Sequence, residues 1–207
     1  MECKVAPMIA LIDYGSGNLR SVEKALLHIG AKVRLVDSPE NLDENDAVVL
    51  PGVGAFGDCA RNLRSRGLWE PLQTWLRSGR PFLGICVGYQ LLFEGSEESP
   101  EVSGLGFFSG HVRRFSTPQL KVPQIGWNTL ETRPSPLWTS LPENPFVFFV
   151  HSFFPSPTDP SVVSATTEYG ESFAAAASKN NVHGVQFHPE KSQSNGLRIL
   201  QNFVESI

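Results

Sequence analysis

The sequence predicts an α/β protein: a doubly wound, mostly parallel sheet with helices on both faces and added antiparallel strands. Three observations predict it. The short apolar segments MIALID, KVRLVD, DAVVLPG and PFLGI have the valine, leucine and isoleucine content of strands buried on both faces. Helical patterns at 18–29, 56–66, 68–78 and 87–93 alternate with them, and parallel neighbours joined this way need right-handed crossovers. Beyond residue 104 the pattern turns to short alternating segments such as GHVRRF and KVPQIGWNTL, which suit antiparallel strands.

Taken in order, residues 1–7 read as a ragged extension without a role, since Met8 would itself serve as a start. Residues 8–207 are expected to form a single domain, because 207 residues with 41% hydrophobic content can bury one substantial core. The first strand passes through Asp13-Tyr14-Gly15-Ser16-Gly17-Asn18 into a helix ending near His28, with Asn18 or Ser21 as its cap. Gly15 and Gly17 lack the third glycine of a dinucleotide fingerprint, so this is a packing turn. Leu50-Pro51-Gly52-Val53-Gly54 lies at the carboxyl end of the third strand, the edge where doubly wound sheets gather functional groups. Later, Pro134, Pro136, Pro142 and Pro145 bracket a loop around Leu137-Trp138, and the strand FVFFV delivers His151-Ser152-Phe153 to its end. A closing helix over 195–205 turns Leu197, Leu200 and Phe203 or Val204 toward the sheet.

Composition narrows the function classes. A net charge of −4 gives no electrostatic reason to expect nucleic acid. Three cysteines without metal-ligand spacing argue against a disulfide framework and imply a reducing compartment, with no metal and no cofactor. No apolar run is long enough to span a membrane, and MECKVAP lacks a signal-peptide core, so the expectation is cytoplasmic.

The chemistry-bearing stretch is Pro81 to Phe93, where Cys86 falls at the junction of a buried strand and a helix, flanked by Gly84 and Gly88. That is a Gly-x-nucleophile-x-Gly elbow with sulfur as nucleophile, and the first helical N–H groups beside it favour thiolate. The base candidate is His188, at the end of the strand VHGVQF, with Glu190 two residues on to fix its tautomer. His151 has no such carboxylate beside it and ranks second. Acyl transfer also needs N–H donors for the oxyanion, and the helix start offers that of Val87.

These blocks, together with IDYGSGN, PGVGAF, Gly126-Trp127-Asn128, Val150-His151-Ser152-Phe153 and Phe187-His188-Pro189-Glu190-Lys191-Ser192, resemble the class I glutamine amidotransferases from Met8 onward. PGVGAF, GWN and HSF point within them to the glutaminase subunits that serve histidine biosynthesis. The resemblance implies hydrolysis of L-glutamine through a Cys86 thioester, with ammonia passed to a separate (β/α)-barrel cyclase partner in a heterodimer. It assigns the second oxyanion donor to the PGVG segment, Gly52 and Val53, whose glycines would let that peptide flip. It gives Glu98 the substrate ammonium, with Glu97 its nearest competitor. Gln90 also contacts the bound amino acid, and Ser152 and Phe153 hold its carboxylate. Trp127 and Lys191 are placed by it at the partner interface, near the exit for ammonia. Phe153 and Phe154 stand where such relatives usually carry tyrosine, which removes any phenolic hydroxyl. The alternatives are a glutaminase subunit of another synthase, such as the pyridoxal phosphate or anthranilate pathway, and a non-catalytic binding module.

Overall fold

Strand β1 (Met8–Ile12), helix α1 (Leu19–His28), strand β2 (Lys32–Val36), strand β3 (Ala47–Leu50), helices α2 (Phe56–Ser65) and α3 (Trp69–Arg77) and strand β4 (Phe82–Ile85) form the first half of a computed structural model. It describes residues 6–15, 18–116 and 120–207; residues 1–5 of the expected extension, and Ser16 and Gly17 of the first connection, lie outside them. Then come the short helix α4 (Val87–Gln90), β5 (Gly95–Ser96), β6 (Gly110–Arg114), β7 (Gln124–Thr129), β8 (Glu131–Thr132), β9 (Phe146–His151) and β10 (Phe153–Pro157). The chain closes with β11 (Val163–Glu168), β12 (Ser172–Lys179), β13 (Val182–Val185) and α5 (Gln193–Glu205).

The main sheet has eight strands in the order β2-β1-β3-β4-β13-β12-β11-β8. The run from β2 to β13 is parallel, while β12, β11 and β8 add antiparallel neighbours at one edge. Every residue of β3, β4 and β13 is buried, which explains why their sequences show no polar alternation. Edge strand β2 instead carries Lys32 and Arg34, charges that discourage further pairing. From β1 the chain steps outward to β2, whereas β3, β4 and β13 step the opposite way. Right-handed crossovers therefore put α1 on one face and α2 with α3 on the other. Helix α5 packs beside α1. Strands β1, β3, β4 and β13 all end at one edge, so Pro51, Cys86 and Gln186 to His188 converge there.

Three expectations are corrected. The elbow helix was expected to run to Phe93, but it ends at Gln90. The returning segment 104–108 takes over its backbone groups: the N–H groups of Leu105 and Phe107 donate to the carbonyls of Leu91 and Leu92 at 2.7 and 2.8 Å. Strands β6 and β7 do not extend the parallel core; β6 pairs with β10 and β5 in a separate sheet, and β7 pairs with β9 in a two-stranded ribbon. The inner face of α5 centres on Gly196, Ile199, Leu200 and Phe203, with Leu197 and Val204 only partly buried at its flanks.

Candidate active site

Cys86 sits at the turn between β4 and α4 with φ 55 and ψ −111, a conformation that a residue with a Cβ rarely adopts. Such a backbone costs about 1–3 kcal/mol and persists only where the surroundings enforce it. Here they do. The Cys86 N–H continues the ladder to the Val185 carbonyl at 2.8 Å, and its own carbonyl accepts from the N–H groups of Tyr89 and Gln90. Glycine is required at two neighbouring points: a Cβ on Gly88 would lie 1.9 Å from the Leu50 carbonyl oxygen, and one on Gly184 would lie 2.0 Å from the Tyr89 ring.

His188 follows β13, and its backbone is fixed by the Phe148 carbonyl, which accepts from its N–H at 2.9 Å. Ser192 staples the same region, donating to the His188 carbonyl at 2.7 Å and accepting from the Phe148 N–H at 2.9 Å. Pro189 then opens a single tight turn, Pro189–Lys191, which folds Glu190 back so that its Oε1 accepts from His188 Nδ1 at 2.8 Å. The ring's other nitrogen is left for the Cys86 sulfur, which borders the same cavity and lies near enough to raise the proton affinity of His188. Burial alone would lower the proton affinity of His188, but the hydrogen bonds to Cys86 and Glu190 and their negative charges outweigh it and raise it well above the usual imidazole range. The ring is therefore an imidazolium held between two acceptors.

Asn18 adds a further layer. It occupies the cap position of α1, yet its side chain caps nothing. Its Nδ2 donates to Glu190 Oε1 at 3.3 Å, and its Oδ1 accepts from the Ser21 hydroxyl at 2.6 Å.

The sulfur and the imidazole open on a cavity of about 320 Å³ that Val53, Val87, Gln90, Glu98, Ser152, Phe153 and Lys191 also line. Glu190 stands behind His188. Glu98 accepts from the Phe56 N–H at 2.8 Å, which anchors one carboxylate oxygen at the start of α2. Glu97 turns away to accept from the Arg114 N–H at 2.8 Å, so of the two candidates only Glu98 borders the cavity. Gln90 donates to the Phe153 carbonyl at 3.0 Å and to Gln186 Oε1 at 3.1 Å. Both its amide hydrogens are thereby engaged, and what it can offer a ligand is its oxygen.

Gly52, Val53 and Val87 meet, but not as an open pair of donors. The Val87 N–H donates to the Gly52 carbonyl at 3.4 Å. In a planar trans peptide the Val53 N–H points opposite to that carbonyl, away from the sulfur side. The Tyr14 hydroxyl holds the preceding Pro51 carbonyl at 2.8 Å.

His151 also faces the cavity, and its protonation is the reverse of His188. Burial lowers its proton affinity to about 4, with the His188 charge pushing the same way and the Phe153 carbonyl only partly opposing. Its Nδ1 lies 2.9 Å from that carbonyl and its Nε2 2.9 Å from the Gln124 side-chain oxygen, two acceptors of which a neutral ring donates to one.

Trp127 borders a different groove with Phe146 and the start of α5. On the β7–β9 ribbon, Trp127 is paired with Phe148, and Ile125 with Val150. One ribbon face buries Val147, Phe149 and His151, whereas the other leaves Ile125 63%, Phe146 57% and Trp127 46% exposed. Lys191 lies close by at the cavity rim.

Sequence reasoning missed Asn18 as a Glu190 partner, Gln124, Gln186 and Ser192. Only Gln186 left a signal, a lone amide between Val185 and Phe187, two residues before His188.

Fold and site together define the class: a doubly wound α/β protein that carries a thiol on a strained elbow against an imidazolium–carboxylate pair, the layout of thiol-dependent acyl transfer. The chain belongs to the glutamine amidotransferase class-I family, whose description matches residues 10–207. Among curated relatives it is 52% identical over 204 residues to the imidazole glycerol phosphate synthase subunit HisH of Gloeothece citriformis (strain PCC 7424), covering 97% of this chain and 96% of that one. The protein of the same name from Syntrophotalea carbinolica (strain DSM 2380 / NBRC 103641 / GraBd1) is 49% identical, covering 95% and 98%. Among solved structures, PurLQS from Thermotoga maritima shares the fold with a TM-score of 0.79 at 20% identity, over 98% of this chain and 99% of that one. A glutamine amidotransferase crystal structure matches with a TM-score of 0.76 at 19% identity, over 96% and 99%. Among the described residues no helix is long and apolar enough to cross a membrane.

Proposed function

We propose that this chain is the glutaminase subunit of an imidazole glycerol phosphate synthase. It hydrolyses L-glutamine to glutamate and ammonia and hands the ammonia to a cyclase of histidine biosynthesis in the cytoplasm. The observation that carries this reading is His188, held by the Glu190 carboxylate at 2.8 Å and opening with the Cys86 sulfur on one cavity.

Glutamine enters the cavity with its ammonium at Glu98, its carboxylate at the Ser152–Phe153 backbone, and an N–H toward the Gln90 oxygen. The Cys86 thiolate attacks the side-chain amide carbon, and the electron pair of the C=O bond moves to oxygen. Val87 and Val53 N–H groups receive that oxyanion once the Gly52–Val53 peptide has rotated, a motion the glycines at 52 and 54 allow. The imidazolium gives its proton to the departing nitrogen, ammonia leaves, and a γ-glutamyl thioester remains. Neutral His188 then takes a proton from water, hydroxide adds to the thioester, and glutamate departs with the thiolate restored. Glu190 keeps the ring in one tautomer throughout.

Ammonia protonated in bulk water would be lost to a synthase, so its exit must be covered. The apolar face of Ile125, Trp127 and Phe146, with Lys191 beside the cavity, suits docking of a (β/α)-barrel cyclase there. In the test, this chain is co-purified with such a cyclase, and glutamine hydrolysis is measured with and without the cyclase's nucleotide ligand. The expected result is weak hydrolysis by the chain alone and stimulation by the liganded partner. Cys86→Ala is expected to abolish glutamine-dependent synthesis and spare the ammonia-driven reaction; equal loss of both would overturn the role given to Cys86. Stimulation by an anthranilate or pyridoxal phosphate synthase instead would reassign the pathway.

A further inference from the structure

Gln186 is fully buried at the end of β13, with no exposed surface. A buried amide must place two donors and an acceptor, and this one is placed in a chain whose direction can be read. The chain begins at the Phe153 carbonyl, a group that can only accept. It fixes Gln90 with its nitrogen toward Phe153, at 3.0 Å. The second hydrogen of that nitrogen reaches the Gln186 Oε1 at 3.1 Å, so the oxygen of Gln186 must face Gln90. Its nitrogen is thereby turned to the other side, where it lies 3.7 Å from the Cys86 sulfur. The backbone carbonyl thus sets the polarity of the whole relay, and the relay ends on sulfur with a donor.

We propose that Gln186 is a further catalytic residue, whose side-chain N–H holds Cys86 as the thiolate. Cys86 is only 4% exposed and receives little help from water. A thiol would give its hydrogen to the free nitrogen of a neutral His188 and offer Gln186 only a weak sulfur acceptor, whereas a thiolate accepts a charge-assisted hydrogen bond from Gln186. The relay also ties the sulfur to the Ser152–Phe153 backbone, the element proposed to hold the substrate carboxylate.

This inference rests on the reading of Cys86 as nucleophile, and the test separates the two. Cys86 is alkylated with iodoacetamide across a pH series, modification at that residue is followed by peptide mass spectrometry, and folding is checked by circular dichroism. Gln186→Met keeps the length and removes the donor; Gln186→Glu keeps the shape and turns an acceptor toward sulfur. The pH of half-maximal alkylation is expected to rise by about one unit in Q186M, the worth of one hydrogen bond to a charged group, and further in Q186E. A merely space-filling side chain would give no such order. A Q186M midpoint equal to that of the unsubstituted chain overturns the proposal, as does a Q186E midpoint at or below that of Q186M. Should Q186E fail to fold, Q186M decides alone, and should both fail, Gln90→Met, which frees the relay at its middle, is expected to raise the midpoint, with no rise overturning it. If Cys86 in the unsubstituted chain resists alkylation at every pH, the nucleophile reading falls and this inference with it.

Discussion

Two histidines at the rim of one cavity, His188 and His151, are buried to nearly the same degree, 3% and 6% exposed, yet their proton affinities are pushed in opposite directions. Burial penalises the charged form of both. His188 escapes because Glu190 and Cys86 offer it negative charge on either side, while His151 meets only a carbonyl, a side-chain amide and the aromatic rings of Phe115, Phe149 and Phe173. Partners, then, and not depth decide which ring carries a proton. The two also lie on different supports: His188 is followed by a proline turn that brings a carboxylate back, and His151 belongs to the core face of a ribbon.

The strongest way to break this contrast is to remove each ring in turn. His188→Gln is expected to cut glutamine hydrolysis by roughly a thousandfold, because both the thiolate and the proton donor depend on it. His151→Gln is expected to keep kcat within a few-fold, with any change confined to KM or stability. Comparable kcat losses in steady-state assays would erase the distinction.

Acid stability sharpens it next. Burial lowers His151 and likewise His183 to about 4. Both rings bind protons more weakly when folded than unfolded. Their contribution is complete above an ordinary imidazole value of about 6.5 and is lost as pH falls from there to about 4, by at most about 3 kcal/mol each. The melting temperature followed over that range should fall steeply, and His183→Gln should flatten the slope by about half. A slope unchanged in that variant would mean that the ring is not held neutral. The raised His188 has no part in this acid loss, since it remains charged throughout the range.

The smallest effect concerns the support behind Glu190. Asn18→Ala removes one hydrogen bond to the carboxylate, worth about 1 kcal/mol, so kcat should fall roughly fivefold with little change in melting temperature. An effect as large as that of His188→Gln would place Asn18 in the chemistry itself.

Much of this was legible because it is written locally. The elbow is marked by glycines at fixed offsets from Cys86, and Glu190 reaches His188 from two residues away. The buried strands announce themselves through AVVL and FLGI. What stayed hidden depends on distant segments. The bond between Asn18 and Glu190 spans 172 positions, so Asn18 reads as an ordinary helix cap. The end of α4 is set by residues 104–108 and leaves no mark in VGYQLLF. The strands of residues 110–129 show their alternation but not their partners, which is why they were expected as additions to the parallel core. The hairpin of β11 and β12 drew no expectation, because FAAAAS has neither the bulk nor the alternation of an obvious strand.

The contact of Gly88 with the Leu50 carbonyl and of Gly184 with Tyr89 bears on how such a chain can change over time. No alanine can be tried at either place without first moving a neighbouring backbone or an aromatic ring, so single mutational steps there lead nowhere. Drift is left to the walls of the cavity and to the docking face. Any change of client has to be built around a turn of sulfur and glycine that has no room for one more methyl group.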